Sequence, residues 1–313
     1  MQAMFFLAAM LTPAMALQAA GAAPVTWSTL NVLAIGPADA KPVAIETKAA
    51  IYESPNFAPD MQSILINEDG RFFRIPLKQP LAGGPRQPFA ITNASGFWGE
   101  HAFSPDGKWY AVSGKAPGET GPDVHIVPAA GGEARRLTHQ PISFFHGWAP
   151  GSDAIAFTSI IGGHEDIYTI PLIGGAPARL THEALNDGAE YTPDGRYLYF
   201  NSNRSGTMQI WRMRPDGSEP TQITDDGFDN WYPHISPDGR WLIMLSYEKG
   251  AATTGHPMNK PVALRLRALA DGTTRILTRL TGGQGTLDSP CWSPDSKFVG
   301  FVSYQEIPQG GTP

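Results

Sequence analysis

Phe103-Ser104-Pro105-Asp106-Gly107 decides the fold, because the chain says it six times. The phrase returns as Phe57-Ala58-Pro59-Asp60, Trp148-Ala149-Pro150-Gly151, Tyr191-Thr192-Pro193-Asp194-Gly195, Ile235-Ser236-Pro237-Asp238-Gly239 and Trp292-Ser293-Pro294-Asp295-Ser296. Its prolines are 46, 45, 43, 44 and 57 residues apart, a period that marks a solenoid or propeller. Pro presets φ for a turn, Asp hydrogen-bonds the nearby backbone, and Gly accepts positive φ. Each phrase is therefore a hairpin turn. Asp106, Asp194 and Asp238 are read as turn residues and not as catalytic ones.

The fourth unit gives the strand plan. Glu190 and Tyr191 end a first strand, and residues 197–201 return after the turn. Residues 208–213 follow a second turn, and residues 221–224 close the unit after Pro215-Asp216-Gly217. Period-two alternation of apolar and polar residues suits strands. A large apolar side chain stands two residues before every motif proline, where packing between units needs one. After Trp292 only residues 297–303 remain as a second strand. The missing outer strands are found at the other terminus, as residues 31–35 and 42–46 around a Gly36-Pro37-Ala38-Asp39 turn. The expected fold is all-β: a single six-bladed β-propeller of four-stranded blades, its ring closed by N-terminal strands that complete the last blade. Residues 24–313 form this one domain, with no further domain expected.

Composition narrows the function. The 313 residues include 34 glycines and 29 prolines, yet 42% are hydrophobic, enough for a packed core. Net charge is −6 and no run of Lys or Arg stands out, which argues against a nucleic-acid partner. Cys291 is the only cysteine, so no internal disulfide or Cys-based zinc site forms, and it reads as a small buried apolar residue. Residues 1–23 read as a signal peptide: an apolar run from Phe5 to Leu11, then small residues with Ala-x-Ala cleavage options. The run is too short to span a membrane, although no Lys or Arg precedes it. The mature chain is expected to be periplasmic or secreted, monomeric, and without an integral membrane segment.

Strand order places the segments leading into each first strand on the face opposite the Ser-Pro-Asp-Gly turns. They share that rim with the turns between second and third strands. Loops on a rigid scaffold carry function. The six lead-in segments mix Glu53, Glu100, His101, His146, Asp187 and Asp288 with Trp98, Phe144 and Trp231, where a purely structural ring would repeat one residue type. Carboxylates, imidazoles and flat rings around one mouth suit a saccharide, a protein segment or a divalent cation; the bland alternative is a solvated channel mouth. The fifth unit is longer by about a dozen residues, and Glu248, Lys249, His256, Asn259 and Lys260 of its extra loop are candidates to cap the mouth. Gln284 adds one amide. His234 and Glu190, one residue before the packing position, are candidate buried partners near the channel wall.

Several chemistries are missing from the sequence. There is no Gly-x-Ser-x-Gly elbow, P-loop or His-Glu-x-x-His helix, and His182-Glu183 lacks a second histidine. Asn93-Ala94-Ser95 and Asn203-Arg204-Ser205 match glycosylation sequons, a short pattern that chance often produces.

The six turns, Asn201-Ser202-Asn203-Arg204-Ser205-Gly206, Gln209-Ile210-Trp211 and the Arg-Leu-Thr or Gln-Ile-Thr closing strands resemble the TolB-type (PD40, WD40-like) propeller repeat over residues 25–305. The resemblance implies the fold. TolB proteins also carry an N-terminal α/β domain and contact a lipoprotein partner, and this chain has no segment resembling that domain. Similar propellers occur in prolyl oligopeptidase-type peptidases and in oligogalacturonate lyases, where His and Gln hold a metal in the channel mouth. Two function classes follow. One is an exported module binding a saccharide or protein segment at the rim. The other is a carbohydrate-active enzyme, a metal-assisted lyase or a glycoside hydrolase. Its metal would lie among His101, His146, His234 and His256, and its acid or base among Glu53, Asp187 and Asp288.

Overall fold

The computed structural model describes residues 23–36, 40–78, 82–140 and 142–313. The expected leader, up to residue 22, and residues 37–39 of the expected turn at residues 36–39 lie outside the described residues. The described chain holds strands and no helix, hence no helix long and apolar enough to cross a membrane.

Six blades stand in the expected order. Blade 1 contains Tyr52–Phe57, Ser63–Glu68 and Arg71–Lys78, with Ala82–Gly83 and Gln87–Pro88 both pairing outside Arg71–Lys78. Blade 2 runs His101–Phe103, Trp109–Gly114, Asp123–Pro128 and Arg135–Arg136. Blade 3 runs Ser143–Trp148, Ala154–Ile161, His164–Pro171 and Ala178–Arg179. Blade 4 is Asn186–Tyr191, Leu198–Ser202, Gln209–Met213 and Thr221–Gln222, and blade 5 is Phe228–Ile235, Trp241–Glu248, Lys260–Ala268 and Thr274–Gly282. Within blades 1 to 5 the sequence order is the spatial order from channel to outside.

Blade 6 is built from both ends of the chain. Phe298–Ile307 pairs antiparallel with Val25–Ala34, which pairs with Val43–Lys48, while Trp292 bridges to Val299 on the channel side. The closing strand is longer than residues 31–35, because pairing continues from Ala34↔Phe298 to Val25↔Ile307. Leu30, Val32 and Val302 then pack with Phe57, Ile64 and Ile66 of blade 1, sealing the last gap in the ring.

Consecutive blades share cores. Ala102, Val124 and Ile126 of blade 2 pack on Phe145, Trp148 and Phe157 of blade 3. The residues two before the motif prolines serve as anticipated: Phe57, Trp148, Ile235 and Trp292 are buried, with Phe103 and Tyr191 half-buried. Two also tie blades by hydrogen bonds, the Trp148 indole donating to Ala102 O (3.1 Å) and the Trp292 indole to His234 O (3.0 Å). Cys291 is buried beside Trp292 in the same apolar cluster.

The repeated phrase is a turn. The Ser104 hydroxyl donates to Asp106 Oδ1 (2.6 Å) and accepts from Trp109 N (3.0 Å). The first of these bonds holds the exposed Asp106 carboxyl down at about 2. The residue after the Asp position is left-handed in all six copies: Gly107, Gly195 and Gly239 near φ 70°, and Met61, Ser152 and Ser296 at 59°, 58° and 60°. Ser152 and Ser296 have a reason to replace Gly, since their hydroxyls accept from Asp106 N and Asp238 N of the preceding blade.

Leu30 is fully buried in the closing strand, whereas Val43 is 45% exposed on the outer edge. Leu30→Ala should lower the free energy of unfolding in urea by about 3 kcal/mol, through lost burial and the cavity left behind. Val43→Ala should cost under about 0.5 kcal/mol.

Candidate functional site

The channel mouth is shaped by bulges. Four first strands break register at the same place: between Glu53 and Asn56, Phe145 and Gly147, Asp187 and Glu190, and Trp231 and His234. A bulge adds a residue to one strand and re-aims the side chains around it. Ser54 and Tyr232 lie in the breaks with φ of 50° and 51°, a conformation L-residues adopt at a cost. Gly188 takes the equivalent place in blade 4 at φ 67°. A Cβ there would come within 2.5 Å of the Asn201 side-chain Oδ1, which accepts from Tyr232 N (3.1 Å).

These breaks open a cavity of about 260 Å³ at the rim. Trp98, Phe144 and Tyr232 form its aromatic walls, the first two edge to face with centroids 6.3 Å apart. Glu100, Glu165 and Asp187 supply carboxyls, His146 and His256 imidazoles, and Gln284 an amide. His146 Nε2 lies 2.7 Å from Asp187 Oδ1, but the approach is not aligned for a hydrogen bond, leaving both ring nitrogens without one. The Thr158 hydroxyl donates to the same Asp187 oxygen (2.8 Å). The Tyr232 hydroxyl sits 2.9 Å from His256 Nε2. Glu100 is 5% exposed and its Oε2 has no hydrogen-bond partner.

Burial dominates the electrostatics. It drives Glu100 well above the usual carboxylate range, and the neighbouring Asp288 and Glu53 charges add to the shift. It raises Glu165 to about 8, with help from Asp187 and Asp166, and Glu53 to about 7, with help from Asp69. Asp187 goes the other way: burial pushes it up, but the adjacent His146 outweighs that and holds it below its ordinary value. The mouth thus holds one ionised carboxylate among carboxyls that keep their protons.

The lead-in segments meet as expected, with Trp98, Glu100, Phe144, His146 and Asp187 lining one cavity. Glu53 and Asp288 are close enough to Glu100 to act on its charge, and a Cβ on Gly99 would meet both within 3.5 Å. Asp288 accepts from Gly285 N (2.7 Å) and keeps Oδ1 unpartnered. The other candidates are elsewhere. His101 points between the blades, its Nδ1 2.6 Å from the Tyr110 hydroxyl and its ring against Phe72; burial lowers it to about 3. Trp231 is a core residue whose indole donates to Ala252 O (2.8 Å), because the bulge turns Tyr232 into the cavity in its place. His234 is taken on both nitrogens, by Glu190 (2.7 Å) and Leu287 O (2.6 Å); this is the buried pair anticipated, but it is structural.

The long loop of blade 5 sends only His256 inward. Glu248 and Lys260 are exposed, and Asn259 donates to Glu306 (3.0 Å). Residues 250–257 and Gln284 instead surround an outer bowl of about 550 Å³, which shares His256 and Gln284 with the inner cavity. The four histidines named as metal donors therefore do not converge. Among the described residues no three His, Cys, Asp or Glu side chains are grouped to hold a metal ion, so a lyase-type metal centre does not fit this donor set. Two lining residues lay outside the candidates. Glu165 follows the turn between second and third strands, a position the strand order had already assigned to this rim. Tyr232 could have been found only by anticipating the bulge.

Residues 142–273 match the family model of the TolB β-propeller domain. An uncharacterised protein of Agrobacterium fabrum is 39% identical over 257 residues, spanning 81% of this chain and 85% of that protein. A solved structure from Agrobacterium tumefaciens, provisionally named TolB, superposes with a TM-score of 0.84 at 35% identity, covering 90% of this chain and 99% of that one. TolB from Acinetobacter baumannii (TM-score 0.60, 20% identity, 82% of this chain and 65% of that one) shares the fold. So does an oligogalacturonate lyase from Vibrio parahaemolyticus (TM-score 0.51, 12% identity, 88% and 78%).

The electrostatics predict how stability varies with pH. Folded Glu53 and Glu165 keep their protons to about pH 7 and about pH 8, whereas unfolded they lose them near 4.5. Below about pH 6.5 the unfolded histidines bind protons that buried His101, His125 and His256 do not, which opposes this trend; above it the unfolded state binds fewer protons, so stability falls as pH rises from about 6.5 to about 8. Asp187 does not oppose this, because its depressed value acts only at lower pH. Thermal melts across this range should show the decline, and the double variant Glu53→Gln/Glu165→Gln should lessen it, leaving the share due to Glu100 and Asp288. His234→Ala strands Glu190 among buried neighbours and should cost about 3 kcal/mol in urea unfolding.

Proposed function

Because this chain belongs to the TolB-type β-propeller family, we propose that it is an exported binding module that receives a polar ligand at the channel mouth opposite the Ser-Pro-Asp-Gly turns. The ligand is a protein segment or a saccharide, held against Glu100, His146, Asp187 and Trp98. The observation that carries this reading is the pair Glu100 and His146. Both are at least nineteen-twentieths buried, both line the cavity, and both keep polar atoms without an aligned hydrogen-bond partner. Buried polar groups in folded chains are almost always satisfied. A pair left open in a lined cavity is explained by a partner that completes it.

One observation favours a second reading. Glu165 holds its proton while Asp187 is ionised in the same cavity, and two carboxyls pushed apart in this way can divide acid and base roles in glycoside hydrolysis. Turnover of a glycan by the native protein, lost in Glu165→Gln with binding retained, would select it.

Glycan and peptide arrays probed with the purified protein test the main reading. His146→Ala/Asp187→Ala should lower affinity for any captured ligand at least tenfold, with the native melting profile preserved. Unchanged affinity in that variant would refute the mouth as the binding site.

A further inference from the structure

The cavity is acidic and aromatic, and nothing in its lining is a permanent cation. Glu100, Glu165 and Asp187 line it, Glu53 and Asp288 are close enough to act on the charge of Glu100, and no Lys or Arg lines it. Of its imidazoles, His146 is already set against Asp187 (2.7 Å), and burial lowers His256 and favours its neutral form. Lys115 is the nearest lysine to the aromatic wall, its Nζ 5.3 Å from the Trp98 ring centroid, and it is not among the lining residues. We infer that the ligand presents a cationic nitrogen to this cavity: a protonated alkylamine or guanidinium, as a lysine or arginine side chain of a protein segment would. The inference rests on the binding reading above and narrows it.

Three independent features converge on that chemistry. The first is Glu100, a buried carboxyl in the cavity lining whose Oε2 has no donor to meet it. An ammonium brings three donors and no acceptor, and a guanidinium five, which matches a site of carboxylates. The second is the wall of Trp98, Phe144 and Tyr232, since aromatic rings attract cations and repel anions at their faces. The third is size. At about 260 Å³ the cavity is smaller than pockets that engulf whole drug-sized ligands, about 300–1,000 Å³, so it suits one side chain better than an oligosaccharide. An acidic sugar would set its own carboxylate against Asp187 with no Lys or Arg between them.

Charge coupling gives the inference a signature. Glu100 meets the charges of Asp288, Glu53 and Asp187, which come from three other blades around the channel, with His146, His256 and Tyr232 around the same space. Burial and these like charges keep it and Glu165 protonated. A bound cation favours the ionised carboxylates, so binding expels protons and tightens as pH rises.

Isothermal titration at 150 mM salt tests this, with the full chain and the peptides Gly-Lys-Gly, Gly-Arg-Gly and Gly-acetyllysine-Gly, each N-acetylated and C-amidated so that any cation is on the side chain, and with spermidine as a free amine. The lysine or arginine peptide should bind at least tenfold more tightly than the acetylated one and gain at least threefold in affinity from pH 6 to pH 8.5. Buffers of different ionisation enthalpy should report net proton release. Glu100→Gln should cut affinity at least tenfold, and Glu165→Gln, at a less buried position, serves should the first variant fail to fold. Spermidine binding more tightly than both peptides would assign the site to free amines and overturn the side-chain source. Equal affinity for lysine and acetyllysine peptides, or no binding of any amine, would overturn the cationic nitrogen itself. A neutral glycan or a Lys- and Arg-free peptide bound through His146 and Asp187 would keep the mouth as a binding site and remove only the cation.

Discussion

The pairing of Val25–Ala34 with Phe298–Ile307 is the contact on which the rest of the molecule depends. A ring of packed blades is stable only if the last blade meets the first, because an open blade leaves a bare strand edge and an unburied apolar face. Here the meeting is covalently split. The chain's two ends supply different strands of one sheet, and the Asn31 amide donates to the Ser303 hydroxyl across 272 residues of sequence. Closing so long a loop costs entropy that grows only slowly with its length, and ten consecutive backbone pairs repay it together. Once shut, the ring presses six first strands around a narrow channel. That confinement buries their lead-in segments.

Confinement also explains the site. Carboxyls such as Glu100 and Asp288 would be ordinary anions on an open surface. Drawn into the channel mouth they lose water, and the charged form becomes costly. The fold tolerates this in two ways. Asp187 stays ionised beside His146, while Glu53, Glu100, Glu165 and Asp288 retain protons. A site that stores several suppressed charges responds to whatever enters it more strongly than one already neutralised by its own side chains.

Much of this could be read from the amino acids, and the division is physical. The turns were legible because Pro, Asp and Gly act locally, through φ and short hydrogen bonds, so each copy declares itself without reference to the rest. Blade number and the N-terminal contribution to blade 6 followed from counting strands against that ruler. The face carrying the cavity followed from strand order. The inward or outward sense of individual side chains did not, because a bulge resets the period-two alternation and depends on backbone geometry across three strands. Trp231 and Tyr232 exchange roles on that account, and Glu190 and His234 pair with each other instead of meeting a ligand. His101 was indistinguishable from His146 by type and segment, yet the first finds Tyr110 and Phe72 between blades and the second finds the channel.

The bulges have a meaning for how such a protein changes over time. Each lies between a conserved-geometry turn and the cavity, so the apolar residue two before the proline can keep its packing while the residues beyond the bulge point elsewhere. Exchanging Glu100, His146 or Asp187 alters the mouth without entering the apolar clusters between the blades. Selectivity is thus written in a few positions on separate blades of a common frame. A descendant of this chain can acquire a new ligand one blade at a time, without first passing through an unstable ring.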